Sequence, residues 1–162
     1  MDGNLYIALC DDEKYVHERI DKMVKKYFTE KNCEYGMVHF FSAKELLESE
    51  EKFNVLLLDI NMPDMDGIEA AQRLADQGRQ YKIIIITGKP ERFKEAFKIG
   101  AYRFVTKPVD KDEFNEALDD VTKSLMGYCK VQVRFQKSLC QVFQFDIDYI
   151  EACGDYVKIY ID

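Results

Sequence analysis

No apolar run in this chain approaches the roughly 20 consecutive residues that a membrane-spanning helix needs, although hydrophobic residues make up 47% of the sequence. The opening Met1-Asp2-Gly3-Asn4 lacks the basic start and apolar stretch of a secretory leader. A cytoplasmic location with no membrane contact is the expectation. Five cysteines, Cys10, Cys33, Cys129, Cys140 and Cys153, form no C-x-x-C pair and have no histidines at ligand spacing. Zinc and redox pairings are therefore not indicated, and the odd count argues against a disulfide framework. Free thiols in a reducing compartment are expected. Basic residues are also short. Lys and Arg number 23 against 30 Asp and Glu, for a net charge of −7, a poor electrostatic footprint for nucleic acid. Residues 128–162 carry four basic and five acidic side chains, so the tail is no finished DNA-binding surface either. The motif G-x-x-x-x-G-K-[ST] is absent, which removes the usual phosphate loop for ATP.

What the chain does hold is four short apolar runs, each ending in a residue able to do chemistry. They are Ile7-Ala8-Leu9-Cys10 before Asp11-Asp12, Val55-Leu56-Leu57-Leu58 before Asp59, Ile83-Ile84-Ile85-Ile86 before Thr87, and Phe104-Val105-Thr106 before Lys107-Pro108. Continuous apolar runs bounded by turn signals read as strands buried on both faces of a parallel sheet. Helical spacing fills the intervals, from about Glu13 to Glu30, after the capping box Ser42-Ala43-Lys44-Glu45, from Gly67 to Gly78, from Pro90 to Gly100, and from Asp110 to Leu125 with Gly127 as a stop. With a further strand at Met37–Phe41, five β–α units predict an α/β fold. It is a flavodoxin-like, doubly wound five-stranded parallel sheet of order 2-1-3-4-5 with helices on both faces. Past Gly127 the pattern becomes alternating and aromatic. Val131, Val133 and Phe135, then Phe143, Phe145, Ile147 and Tyr149, then Val157, Ile159 and Ile161 predict three short strands. Two units follow: 1–127, α/β, and 128–162, a short β segment.

Ligands of an open parallel sheet bind outside the carboxyl ends of its strands. Asp11, Asp12 and Asp59 therefore meet there, and three ionised carboxylates repel one another. A hard divalent cation resolves that conflict. Magnesium takes one or two carboxylates and keeps other positions for water or phosphate oxygens, so the cluster predicts Mg2+ and a phosphoryl group. Lys107 and Thr87 supply the charge and the hydroxyl that phosphoryl oxygens need during transfer. Asp59 is the candidate nucleophile, since carboxylates form aspartyl phosphates. Two other sites fail on spacing. A calcium loop over Met62–Arg73 has the wrong first and twelfth residues, and a D-x-D phosphatase motif fails because Asn61 stands where the second Asp belongs. His17 and His39 lie on predicted elements without ligand partners, and no catalytic role is expected of them.

These residues resemble the receiver domain of bacterial two-component response regulators. The resemblance rests on Asp11-Asp12, Asp59-Ile60-Asn61-Met62-Pro63-Asp64-Met65-Asp66-Gly67, Thr87-Gly88 and Gly100-Ala101-Tyr102-Arg103-Phe104-Val105-Thr106-Lys107-Pro108, and covers 1–127. It implies that Asp59 accepts phosphate from a phosphohistidine on a sensor histidine kinase. It further implies that Asp12, Asp59 and the Asn61 carbonyl bind magnesium, with Asp11 acting through water. Thr87 and Lys107 would hold the phosphoryl oxygens, and the Lys107–Pro108 bond would be cis. Asn61 and Lys89 would line the path of the hydrolytic water. Thr87 and Phe104 would form a switch that favours a homodimer on phosphorylation. Such a protein is a switch and not an enzyme acting on other molecules.

The run Asp146-Ile147-Asp148-Tyr149-Ile150-Glu151-Ala152-Cys153-Gly154-Asp155-Tyr156-Val157-Lys158-Ile159 is similar to the opening strands of a LytTR-type DNA-binding domain. Only part of such a domain fits in 128–162, so the resemblance implies a truncated one, with DNA binding and transcription regulation belonging to a longer protein. The alternative is a stand-alone receiver working through protein contact, its last strand offering an open edge. A magnesium-dependent phosphatase acting in trans is a third and more remote reading.

Overall fold

The computed structural model describes residues 5–78, 81–125, 130–135, 138–143, 147–154 and 156–161. Strands β1 (Leu5–Cys10), β2 (Tyr35–Phe40), β3 (Val55–Leu58), β4 (Lys82–Thr87) and β5 (Arg103–Thr106) alternate with helices α1 (Lys14–Lys31), α2 (Ala43–Glu48), α3 (Gly67–Asp76), α4 (Phe93–Lys98) and α5 (Lys111–Ser124). The five strands form one parallel sheet in the order β2-β1-β3-β4-β5, as expected from the sequence. Strand order reverses between β1 and β3. In open α/β sheets that switch point opens the crevice in which ligands bind.

Side chains alternate across a strand, and the sheet buries both faces accordingly. Leu5, Ile7, Leu9, Val55, Leu57, Ile84, Ile86 and Val105 point to one face. There they meet Val16, Ile20, Val24 and Phe28 of α1 and Phe114, Leu118 and Val121 of α5. Ala8, Cys10, Leu56, Leu58, Ile83 and Ile85 point to the other, against Leu46 of α2, Ile68, Ala71 and Leu74 of α3 and Ala96 of α4. Burial on both faces is why these strands read as unbroken apolar runs.

Two expectations need correction. Pro90 does not start α4. It opens a separate 3-10 turn over Pro90–Arg92, and α4 proper covers only Phe93–Lys98. That helix buries Ala96 while Phe93 and Phe97 stay exposed, so its apolar residues do not mark its inner face. In the tail, the alternation over Phe143–Tyr149 is not one strand. β6 (Lys130–Phe135) pairs antiparallel with β7 (Ser138–Phe143), and β8 (Ile147–Cys153) pairs with β9 (Tyr156–Ile161). Among the described residues four strands form two antiparallel pairs, and the sequence reading merges β7 and β8 because the alternating pattern between Phe143 and Ile147 holds no Gly or Pro. Gly127 lies outside the described residues.

Candidate functional site

The sheet extends one hydrogen bond beyond three of its strands, and those bonds deliver the chemistry. The Asp11 amide donates to the Phe40 carbonyl at 3.1 Å, Asp59 to Cys10 at 2.9 Å, and Lys107 to Thr87 at 2.8 Å. Asp11, Asp59 and Lys107 thus occupy registered positions at one sheet edge. Lys107 Nζ reaches between two carboxylates, 2.7 Å from Asp11 Oδ2 and 2.8 Å from Asp59 Oδ2. Asp12 joins from the exposed rim, and oxygens of Asp11, Asp12 and Asp59 lie within 4.8 Å of one another. The peptide following Lys107 is cis to Pro108.

Local turns aim the remaining oxygens. Asp11 Oδ1 accepts from the Glu13 amide at 2.9 Å, and Asp59 Oδ1 from the Asn61 amide at 3.1 Å. Each is a carboxylate bonded to the backbone two residues on, the usual turn device of aspartate. Asn61 itself is exposed. The second oxygen of Asp11 is different. It is fully buried and, although the ammonium sits beside it, accepts no aligned hydrogen bond. Burial pushes the Asp11 pKa above its usual range, and Lys107 offsets only part of that. Burial pulls Lys107 the other way, but its ion pairs with Asp11 and Asp59 outweigh it and favour the charged ammonium. Both shifts are upward, which favours the neutral form of Asp11 and the charged form of Lys107 across the same contact. The asymmetry reflects the charge count, since one cation serves three carboxylates. An all-oxygen cluster with surplus negative charge fits a hard divalent cation such as magnesium.

Thr87 is buried at the end of β4, and its hydroxyl accepts from the Lys89 amide at 3.3 Å. Phe104, half-buried on β5, meets Phe93 of α4 edge-on at 5.6 Å. Both proposed switch residues therefore adjoin the segment from Gly88 to Lys98.

Several supporting residues escaped the sequence reading. Gly67 begins α3 against the backbone of Asp59, where an added Cβ would stand 2.0 Å from the Asp59 carbonyl oxygen. Asp66 caps α3 by accepting from the Ile68 amide at 2.9 Å, and it also holds the Arg92 guanidinium. Asp64 accepts from the amides of Ala43 and Lys44 at 3.4 and 3.0 Å, which ties the loop after Asp59 to the start of α2. An Asp just before a helical run is a cap signal, so Asp66 was legible. Arg92 also pairs with Glu95 three residues on, a spacing visible in the sequence, but its pairing with Asp66, 26 residues away, had no local signal. His17 and His39 do not join the acidic cluster, but they are not idle. Their Nδ1 atoms lie 2.7 Å apart.

Comparison with known proteins matches residues 7–119 to the family described as "Response regulator receiver domain". The chain is 35% identical over 126 residues to chemotaxis protein CheY of Treponema pallidum, covering 72% of this chain and 82% of that protein. It is 30% identical over 117 residues to the positive alginate biosynthesis regulatory protein of Pseudomonas aeruginosa, covering 72% of this chain and 47% of that protein. Among solved structures, the signal receiver domain of an HD domain-containing protein from Pseudomonas fluorescens Pf-5 superposes with a TM-score of 0.65 at 21% identity, over 75% of this chain and 96% of that one. The chain spans about half the length of several curated relatives it matches.

Proposed function

The chain belongs to the response regulator receiver family, and on that premise we propose that Asp59 is its phosphoacceptor. The observation that carries this reading is the buried Asp59 carboxylate, 2.8 Å from Lys107 Nζ and beside two further carboxylates. A carboxylate oxygen of Asp59 attacks the phosphorus of a phosphohistidine on a sensor histidine kinase. The O–P bond forms as the P–N bond breaks, and the released imidazole takes its proton from water. Lys107 shifts its charge from the carboxylate to the phosphoryl oxygens, where developing charge needs a preorganised cation. The Thr87 hydroxyl, which accepts from the Lys89 amide, donates its own proton to a phosphoryl oxygen. Asp11, Asp12, Asp59 and the Asn61 carbonyl would hold magnesium, which supplies further charge neutralisation on the phosphoryl group. The aspartyl phosphate is the product, so the protein turns over no other substrate.

The same reading extends to output. Movement of Thr87 toward the phosphate frees space for Phe104 and repositions α4, whose Phe93 and Phe97 are exposed. That apolar surface would pair two phosphorylated chains. The longer regulatory relatives and the LytTR-like tail support a transcription-regulating, DNA-binding output in a longer protein. Among the described residues no helix is long and apolar enough to cross a membrane.

The test is incubation with magnesium and acetyl phosphate, followed by intact mass measurement. One phosphoryl adduct is expected on the native chain and none on Asp59→Asn. An adduct on both chains, or on neither, rejects Asp59 as acceptor. Sedimentation at tens of micromolar should show dimers only in the phosphorylated sample; identical profiles would reject the dimer switch.

A further inference from the structure

His17 is buried on the first turns of α1, and the phosphoryl chemistry does not use it. Its Nε2 lies 2.8 Å from the main-chain oxygen of Asp11. A carbonyl only accepts, so Nε2 carries a proton. His17 Nδ1, with its proton committed to the other nitrogen, is then the acceptor for His39 Nδ1 at 2.7 Å. His39 Nε2 in turn lies 3.2 Å from Asp21 Oδ1, which also only accepts. With these assignments both His39 nitrogens donate, to Asp21 on one side and to His17 on the other, so the arrangement requires His39 to be the doubly protonated imidazolium, while His17 donates to the Asp11 carbonyl. Phe41 stacks on the His17 ring with centroids 4.2 Å apart and covers it.

The carbonyl at the end of this chain belongs to the peptide joining Asp11 to Asp12. Its plane sets where both carboxylates leave the backbone. The neighbouring peptide is already pinned by the Asp11 amide, which donates to Phe40 at 3.1 Å. The Asp11 side chain is held by the Glu13 amide and Lys107, and His17 adds the contact to the main-chain oxygen.

We propose that His17 is a positioning residue for the acidic cluster: its Nε2–H fixes the Asp11–Asp12 peptide, while His39, backed by Asp21, fixes the tautomer that makes Nε2 the donor. The role rests on the phosphoacceptor reading. Residues that orient a metal site from behind its ligands typically contribute about 10- to 100-fold in metal affinity. Neither His39 nor Asp21 touches the cluster, yet both feed its geometry.

The test uses the full, unphosphorylated chain and Mn2+ as the probe, with free Mn2+ followed by electron paramagnetic resonance. His17→Leu should weaken Mn2+ binding about tenfold. His17→Gln, whose amide can place an N–H near the Nε2 position, should restore most of it. Long-range 1H–15N spectra should show a single Nε2–H tautomer for His17 in the native chain and a mixture in His39→Leu. Native-like Mn2+ binding by a folded His17→Leu overturns the proposal, as does equal weakening in the Leu and Gln variants, which would mean packing alone. If His17→Leu does not fold, His39→Leu decides: an unchanged single tautomer with unchanged Mn2+ affinity overturns the relay. Failure of the native chain to bind Mn2+ or accept phosphate from acetyl phosphate overturns the phosphoacceptor reading and this proposal with it. Phosphorylation of a native chain whose variants behave identically overturns this proposal alone.

Discussion

Asp11 is fully buried, and burial holds its pKa above the ordinary 3.8 despite the neighbouring ammonium. A raised pKa means that folding favours the protonated acid. The cost of keeping Asp11 ionised is absent below pH 3.8 and complete once the pH has passed the folded value. Asp11→Asn removes that cost. At pH 7 the variant should be more stable than the native chain by about 1 kcal/mol, the net scale of one buried hydrogen bond, since Lys107 keeps its 2.8 Å contact with Asp59. The gain should vanish at acid pH, where native Asp11 is itself neutral. Acetyl phosphate labelling should fall in the same variant. Thermal melts from pH 3 to 7, beside intact masses, check both halves; a variant less stable at neutral pH would contradict the account. Functional sites commonly retain such locally unfavourable groups.

Elements reach the site through their ends. α3 begins on Gly67 because only hydrogen fits against the Asp59 carbonyl, where a Cβ would stand at 2.0 Å from oxygen and 2.9 Å from the Ile60 Cα. Gly67→Ala must move backbone, which should cost about 2 kcal/mol on the scale of overpacked cores. Because the displaced backbone carries Asp59, labelling should slow as well, and melts with labelling time courses would show it. Helices α1 and α5 are joined by a separate device. Tyr27 Oη donates to Asp119 Oδ1 at 2.6 Å, and Lys31 Nζ lies 3.0 Å from the same oxygen. Tyr27 first and Lys31 second hold the Asp119 pKa below its usual 3.8. A lowered pKa gives stability that is present above pH 3.8 and lost as the pH falls through the folded value. Asp119→Asn should therefore melt lower at pH 7, by only about 0.5 kcal/mol because the pair is partly exposed. The gap should close toward pH 3. A gap independent of pH would assign the effect to packing.

At the scale of the whole molecule, the proposed magnesium site would make the fold responsive to a cation. A ligand that binds only the folded state stabilises it by mass action, by about 2.7 kcal/mol at one hundred times its dissociation constant. Magnesium should raise the melting temperature in a concentration-dependent way, and a chelator should reverse the rise. Asp59→Asn should blunt it, since one of three clustered carboxylates is gone. An equal rise in that variant would place the cation elsewhere.

The sequence by itself determined the parallel sheet, its two-faced core and the residues at its edge. Strands buried on both faces must be continuous and apolar, and the residues that follow them, Asp11, Asp59, Thr87 and Lys107, are adjacent in the chain. Such signals are local, so they survive in one dimension. Only the tertiary structure decided which carboxylates share the Lys107 ammonium, because Asp59 and Lys107 are 48 residues apart and meet through strand order. It also decided that His17 and His39, 22 residues apart on a helix and a strand, face each other and that His17 reaches the Asp11 carbonyl. The division of the tail into two antiparallel pairs belongs to the same class. Alternation records which face a residue takes, and strand pairing decides where one strand ends and the next begins.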